Sequence, residues 1–139
     1  MGRAKTAKFV CSPLDTRDCG DGKNAILLAP VRFYSAKLGR TVVAPAGMKT
    51  DFASIPRGVW NVIPKRGKHD RAAVIHDAGY RGFLKDILGN PLHVSKQVSD
   101  DLFDEGMRVD GVSLWQRVLM YRAVRLFGRP TDKKVPHGV

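Results

Sequence analysis

The stretch Val74-Ile75-His76-Asp77-Ala78-Gly79-Tyr80 sets a histidine beside an aspartate in an otherwise apolar run. The pattern predicts a helix from about Asp70, placed as its N-cap, to Gly82. Neighbouring helical residues point about 100° apart, because each turn takes ~3.6 residues. His76 and Asp77 therefore need separate partners, while Ala72, His76 and Tyr80 share one face. Ala72, Ala73 and Gly79 are small enough to let a second backbone approach closely, as a seam between two packed helices requires. Polar side chains in such a seam must be satisfied by the neighbouring element.

That element is a second predicted helix, from near Ser95 to near Arg108, with Val98, Leu102, Phe103 and Met107 on its apolar side. Asp100 has the spacing to share the face of Phe103 and Met107, so its carboxylate turns inward and His76 is the obvious partner. A carboxylate bonded to one imidazole nitrogen fixes the tautomer and raises the basicity of the other. This is the minimal arrangement of a general base, and equally that of a structural buried pair. Both readings stay open from sequence.

A third helix is expected over roughly Ser113 to Phe127, between Gly111 and Gly128-Arg129-Pro130, burying Leu114, Val118, Leu119, Val124 and Phe127. Upstream, AILLAPVRFYS and TVVAPAG read as short strands joined by a hairpin at AKLGR, with Pro30 and Pro45 at edges or strand ends. The expected fold class is α+β: a short antiparallel β-hairpin or small sheet packed on three helices, the first two crossing around a His/Asp pair. A length of 139 residues suits one domain. Within it, 1–23 reads as an irregular basic arm and 25–64 as strands and a loop pinned by Ile55, Val59, Trp60, Val62 and Ile63. The helical part spans 68–128, and 129–139 reads as a basic tail.

Thr50 and Asp51 follow a strand end. Asp51 either closes an Asx-turn on Ala53 and Ser54 or forms a buried link to the first helix. The other candidate role is reaching His76, or a metal held together with Asp77. Ser54 lacks a nucleophile elbow, which argues against a serine hydrolase. Arg57 either clamps an anion or pairs with an acid of the second helix. His69 is expected in solvent, with His93 and His137 as surface residues, and Trp60, Trp115 and Tyr121 as core or interface anchors. No phosphate-binding glycine loop, zinc-protease helix or dinucleotide fingerprint occurs.

The net charge of +11 gathers at the two ends, in Arg3, Lys5 and Lys8 and in Arg122, Arg125, Arg129, Lys133 and Lys134. It predicts attraction to nucleic acid, anionic lipid or an acidic protein surface. Aromatic residues are not interleaved as base-stacking would need, so docking on an acidic neighbour is favoured over nucleic acid. No apolar run is long enough to span a bilayer, and the basic N-terminus lacks the apolar core of a secretory peptide, which points to synthesis in a cytoplasm. Cys11 and Cys19 read as free thiols or a locally packed pair.

HDAGYRG followed by SDDLFDEGM is similar to the helix pair of secreted calcium-dependent phospholipases, especially the prokaryotic ones. That resemblance implies His76 as the base activating water, Asp100 as its orienting partner, Asp77 as a calcium ligand and Tyr80 as hydrogen-bonding support. It covers about a third of the chain. TDFASIPR stands where that family has a glycine-rich calcium loop, and no cysteine follows Cys19 to staple the helices.

A second resemblance runs from about Ala25 to Gly128. TVVAPAGMKTDFASIPRGVW, AAVIHDAGY, SDDLFDEGMRVDGV and RVLMYRAVRLFG, in that order, resemble an uncharacterised family encoded mainly in bacteriophage genomes and prophages. It implies a phage origin and a compact α+β domain. The expectation is a virion structural protein, in the tail or baseplate, that is made in the host cytoplasm and docks on other virion proteins through its basic ends. The alternative is a hydrolase of lipid or cell-wall bonds using a His76–Asp100 dyad, assisted by a divalent cation such as calcium at Asp51 and Asp77.

Overall fold

The computed structural model describes residues 6–10, 13–21, 24–52, 59, 62–63 and 67–127. The described strands are β1 (Lys8–Phe9), β2 (Thr16–Asp18), β3 (Ala25–Leu27), β4 (Val31–Ser35), β5 (Arg40–Ala44) and β6 (Lys49–Thr50). They form two antiparallel three-stranded sheets, in the orders β1-β4-β5 and β2-β3-β6. The helices of the described residues are α1 (Asp70–Arg81), α2 (Lys96–Val109) and α3 (Leu114–Phe127). The fold is therefore α+β, with three helices among the described residues, as the sequence pattern implies.

In β4 the side chains alternate: Val31, Phe33 and Ser35 are buried, while Arg32 is exposed and Tyr34 half-buried. β5 pairs with it from Val31↔Ala44 to Ser35↔Arg40, closing the expected hairpin. Glu105 of α2 holds that turn. Its carboxylate accepts from Ser35 Oγ at 2.6 Å, Ala36 N at 2.9 Å and Lys37 N at 3.2 Å. Three donors on one buried acid fix the hairpin to α2 and explain why the acid tolerates burial.

The N-terminal arm departs from the expected irregular course. Phe9 packs on Phe33 with ring centroids 4.7 Å apart, and β1 covers the edge of β4. β2 likewise pairs with β3. Edge strands gain backbone partners this way, which outweighs the weak strand pattern of the arm.

Residues 72–80 of α1 are all buried. His69, not Asp70, is the N-cap, and it makes no side-chain capping bond. Asp70 is the first helical residue and accepts from Gly67 N at 2.8 Å, so the acid still serves the helix start from one position later. His69 is buried rather than solvated, and its carbonyl accepts from Ala73 N at 2.9 Å. At the other end Gly82 adopts φ 75°, and the amide of Phe83 bonds back to Ala78 O at 2.8 Å.

Ser95 caps α2 by accepting from Val98 N at 3.1 Å. Leu102, Phe103 and Met107 enter the core, as their spacing implies. Two glycines set the crossing of α1 and α2. A Cβ at Gly79 would collide with the Ser99 side chain, and one at Gly106 would sit 2.9 Å from Ala72 Cβ.

α3 is rotated relative to the expected face. Met120, Ala123 and Val124 are buried, whereas Leu114 and Val118 are exposed. Polar fastenings to α2 set this rotation: Arg117 pairs with Asp104 at 3.2 Å, and Lys96 Nζ donates to the carbonyls of Val124 and Arg125 at 3.0 and 3.3 Å. Of the long connection, Ile63 is buried and Val59 packs on the core, while Val62 is exposed. Ile55 and Trp60 lie outside the described residues. Among the described residues, no helix is long and apolar enough to cross a membrane.

Candidate functional site

α1 and α2 cross with His76 facing Asp100. His76 Nε2 lies 2.7 Å from Asp100 Oδ1, and the two side chains are 1% and 0% exposed. Tyr80, one turn after His76, donates to the same oxygen at 2.6 Å. The other oxygen, Oδ2, accepts from Lys96 Nζ at 2.9 Å and from Arg125 of α3 at 2.9 Å. The imidazole is sandwiched near the Tyr80 and Phe103 rings, at centroid distances of 4.1 and 5.0 Å.

These partners decide the protonation states. Burial pushes the His76 imidazole below its ordinary range, against the pull of the Asp100 hydrogen bond. Burial alone would raise Asp100, but hydrogen bonds from His76, Tyr80 and Lys96 hold it well below the usual carboxylate range. The Tyr80 phenol is pushed up by burial and by the Asp100 charge. The pair is thus a neutral imidazole donating from Nε2 to a carboxylate. Nδ1 is left as the basic nitrogen, buried and without a hydrogen-bond partner among the described residues. An imidazole oriented through one nitrogen and unprotonated at the other has the form of a general base, and here its free nitrogen is buried from solvent.

A second acidic group lies beside the first, between α1 and the end of β6. Asp77 Oδ2 faces the amide of Asp51 at 3.4 Å. Arg81 bridges both acids, at 3.0 Å to Asp77 and 3.5 Å to Asp51. Burial, and next the Asp51 charge, push Asp77 up to about 6, opposed by Arg81 and by hydrogen bonds from Thr50 and the Asp51 backbone. Asp51 accordingly links to the first helix through Asp77 and Arg81, one of the roles its sequence position offers. Phe52 follows it with φ 58° while buried, a conformation that costs a non-glycine residue about 1–3 kcal/mol and is kept only where surroundings enforce it.

Calcium takes about six to eight oxygen ligands. Asp51 and Asp77 instead share a guanidinium, which supplies the positive charge between them, and no group of three His, Cys, Asp or Glu placed to hold a metal occurs among the described residues. The described donor set does not fit a calcium cage. Ser54, Arg57, Cys11 and the basic tail lie outside the described residues. Cys19 is a free, exposed thiol.

Four residues of this site escape a reading by motif: Lys96, Arg125, Arg81 and Gly106. Two carried a signal, since Lys96 precedes Asp100, and Asp77 precedes Arg81, by the four residues that bring helical charges together. Gly106 stands seven residues after Ser99, on the same seam. Nothing local marks Arg125, which reaches Asp100 from a different helix.

The fold is thus an α+β chain whose crossed helices bury a His–Asp pair, with a tyrosine and two cations on the acid. The family containing it is shown by sequence. The chain belongs to the family described as a protein of unknown function (DUF1353), matched over residues 26–124. That span includes Asp51, His76, Asp77, Tyr80 and Asp100. The chain is also similar to the uncharacterized protein y4jT of Sinorhizobium fredii, at 36% identity over 86 residues. The match covers 60% of this chain but 23% of that protein, so the chain spans about a quarter of that relative's length. No solved structure matches it.

Proposed function

We propose that the chain is a hydrolase of a lipid or cell-wall bond, with His76 as general base and Asp100 as its orienting acid. The carrying observation is the division of labour on one ring: Nε2 is bonded to Asp100 at 2.7 Å, while Nδ1 is basic and unpartnered among the described residues. In the reaction a water gives a proton to Nδ1 as its oxygen attacks the scissile carbonyl or equivalent centre. The imidazolium is stabilised by Asp100 and returns the proton to the leaving group as the bond breaks. Tyr80, Lys96 and Arg125 keep Asp100 ionised and fixed throughout. The resemblance of HDAGYRG and SDDLFDEGM to secreted phospholipase helices supports the lipid substrate. Product release from bacterial phospholipid vesicles and from peptidoglycan tests the reading. His76→Asn should lower it at least about 100-fold, as loss of a general base does, with the far-ultraviolet dichroism unchanged. Absence of release from both substrates would reject it.

A second reading makes the protein a structural component of a phage virion, in the tail or baseplate, with the same network serving as scaffold. The net charge of +11 and the resemblance to phage-encoded proteins favour it. Mass spectrometry of purified virions from the encoding phage should then find the polypeptide, and its absence would end this reading.

A further inference from the structure

The outer face of α3 has no role in the site. Leu114, Trp115, Val118 and Leu126 are 66%, 56%, 41% and 75% exposed along this one helix. With about 100° per residue they fall in one band, and Arg122 stands exposed within it. Isolated exposed apolar residues are ordinary, but several large ones on one helical face, with an arginine among them, mark a surface that something covers. The helix LWQRVLMYRAVRLF contains three arginines and no acidic residue.

We propose that this face docks on an anionic lipid surface. A second copy of the chain is disfavoured as occupant, because each carries a net charge of +11 and the same acid-free helix. A bilayer of anionic lipid answers both properties at once: leucine and tryptophan enter the interfacial layer, and the exposed Arg122 reaches the phosphates on its long stem, while Arg117 and Arg125 stay tied to α2. The band lies on the outside of a single helix about 21 Å long, which suits a helix lying in the membrane plane. An acidic protein surface is the competing occupant.

The proposal is independent of turnover at His76. The test is co-sedimentation of the intact protein with vesicles of phosphatidylglycerol and phosphatidylcholine, beside vesicles of phosphatidylcholine alone. Binding is expected to the first and not the second, and to weaken with added salt. The double variant Leu114→Asp/Leu126→Asp should lose at least about tenfold in binding while keeping the wild-type far-ultraviolet spectrum, because both side chains are exposed. His76→Asn should bind as wild type. Failure of the wild type to sediment with anionic vesicles, or unchanged binding by the double variant, would overturn the proposal. Binding to immobilised polyglutamate without binding to vesicles would overturn it in favour of a protein neighbour.

Discussion

His76 Nε2 and Asp100 Oδ1 stand 2.7 Å apart inside the crossing of α1 and α2, where neither side chain reaches solvent. The two ends of this contact are not equivalent. Asp100 collects four donors drawn from α1, α2 and α3, whereas His76 offers one nitrogen to the acid and keeps the other. The acid is therefore the hub of the helical layer, and the imidazole keeps one nitrogen, Nδ1, without a hydrogen-bond partner among the described residues.

Substitutions around the hub should separate accordingly. Asp100→Asn removes the charge that balances Lys96 and Arg125, and should cost about 3–5 kcal/mol, the usual range for breaking a buried ionic contact. Tyr80→Phe removes one neutral donor to the carboxylate and should cost about 1.5–3 kcal/mol, less than loss of the charge itself. Urea unfolding measures both, and equal losses would contradict the hub.

The pH dependence has three windows of known sign. Asp77 is raised in the fold from 3.8 to about 6, so its contribution is complete below pH ~4 and lost as pH rises to about 6. His76 is lowered from 6.5, so its contribution is complete above that value and lost as pH falls below it. Asp100 is lowered from 3.8 and matters only in stronger acid. Between about pH 4 and 6 the first two oppose each other. Asp77→Asn should make the unfolding midpoint climb across that interval, and His76→Asn should make it fall. Parallel profiles for the two variants would refute these assignments.

Arg81→Gln leaves Asp51 and Asp77 facing one another without their shared cation. Asp77 should titrate above 6, and the loss of stability should be larger at pH 7 than at pH 5, where the acid is more protonated. Thermal unfolding at the two values provides the comparison.

The helix seam can be tested by volume alone. Gly79→Ala drives a methyl into Ser99 and should cost about 1–3 kcal/mol, as overpacking does. Ser99→Ala removes a hydroxyl that has no hydrogen-bond partner among the described residues, and should be neutral or slightly stabilising. A costly Ser99→Ala would show that this hydroxyl has a partner after all.

Much of the fold was legible because its signals are local. The alternation in VRFYS, the glycine after Arg81 and the serine before Lys96 each act within a few residues. The His76–Asp100 encounter was legible for a related reason: an inward carboxylate and an inward imidazole on adjacent helices leave each other as the natural partner. The rotation of α3 was not, since Leu114 and Val118 have the composition of core residues. Burial of Met120, Ala123 and Val124, with the polar ties of Lys96, Arg117 and Arg125 to this helix, leaves them facing outward. The pairing of Phe9 with Phe33 and the clasp of Glu105 on the hairpin turn join residues far apart in the chain, and no window along the sequence contains both ends.

The fastening of α3 has a mechanical corollary. Lys96 grips the last carbonyls of the helix and the Asp100 carboxylate with one ammonium group, and Arg125 ties the same helical turn to the same acid. A pull or twist applied to the chain where α3 ends is thus delivered, through two cations, to the donors gathered on Asp100, and from there to the tilt of the imidazole.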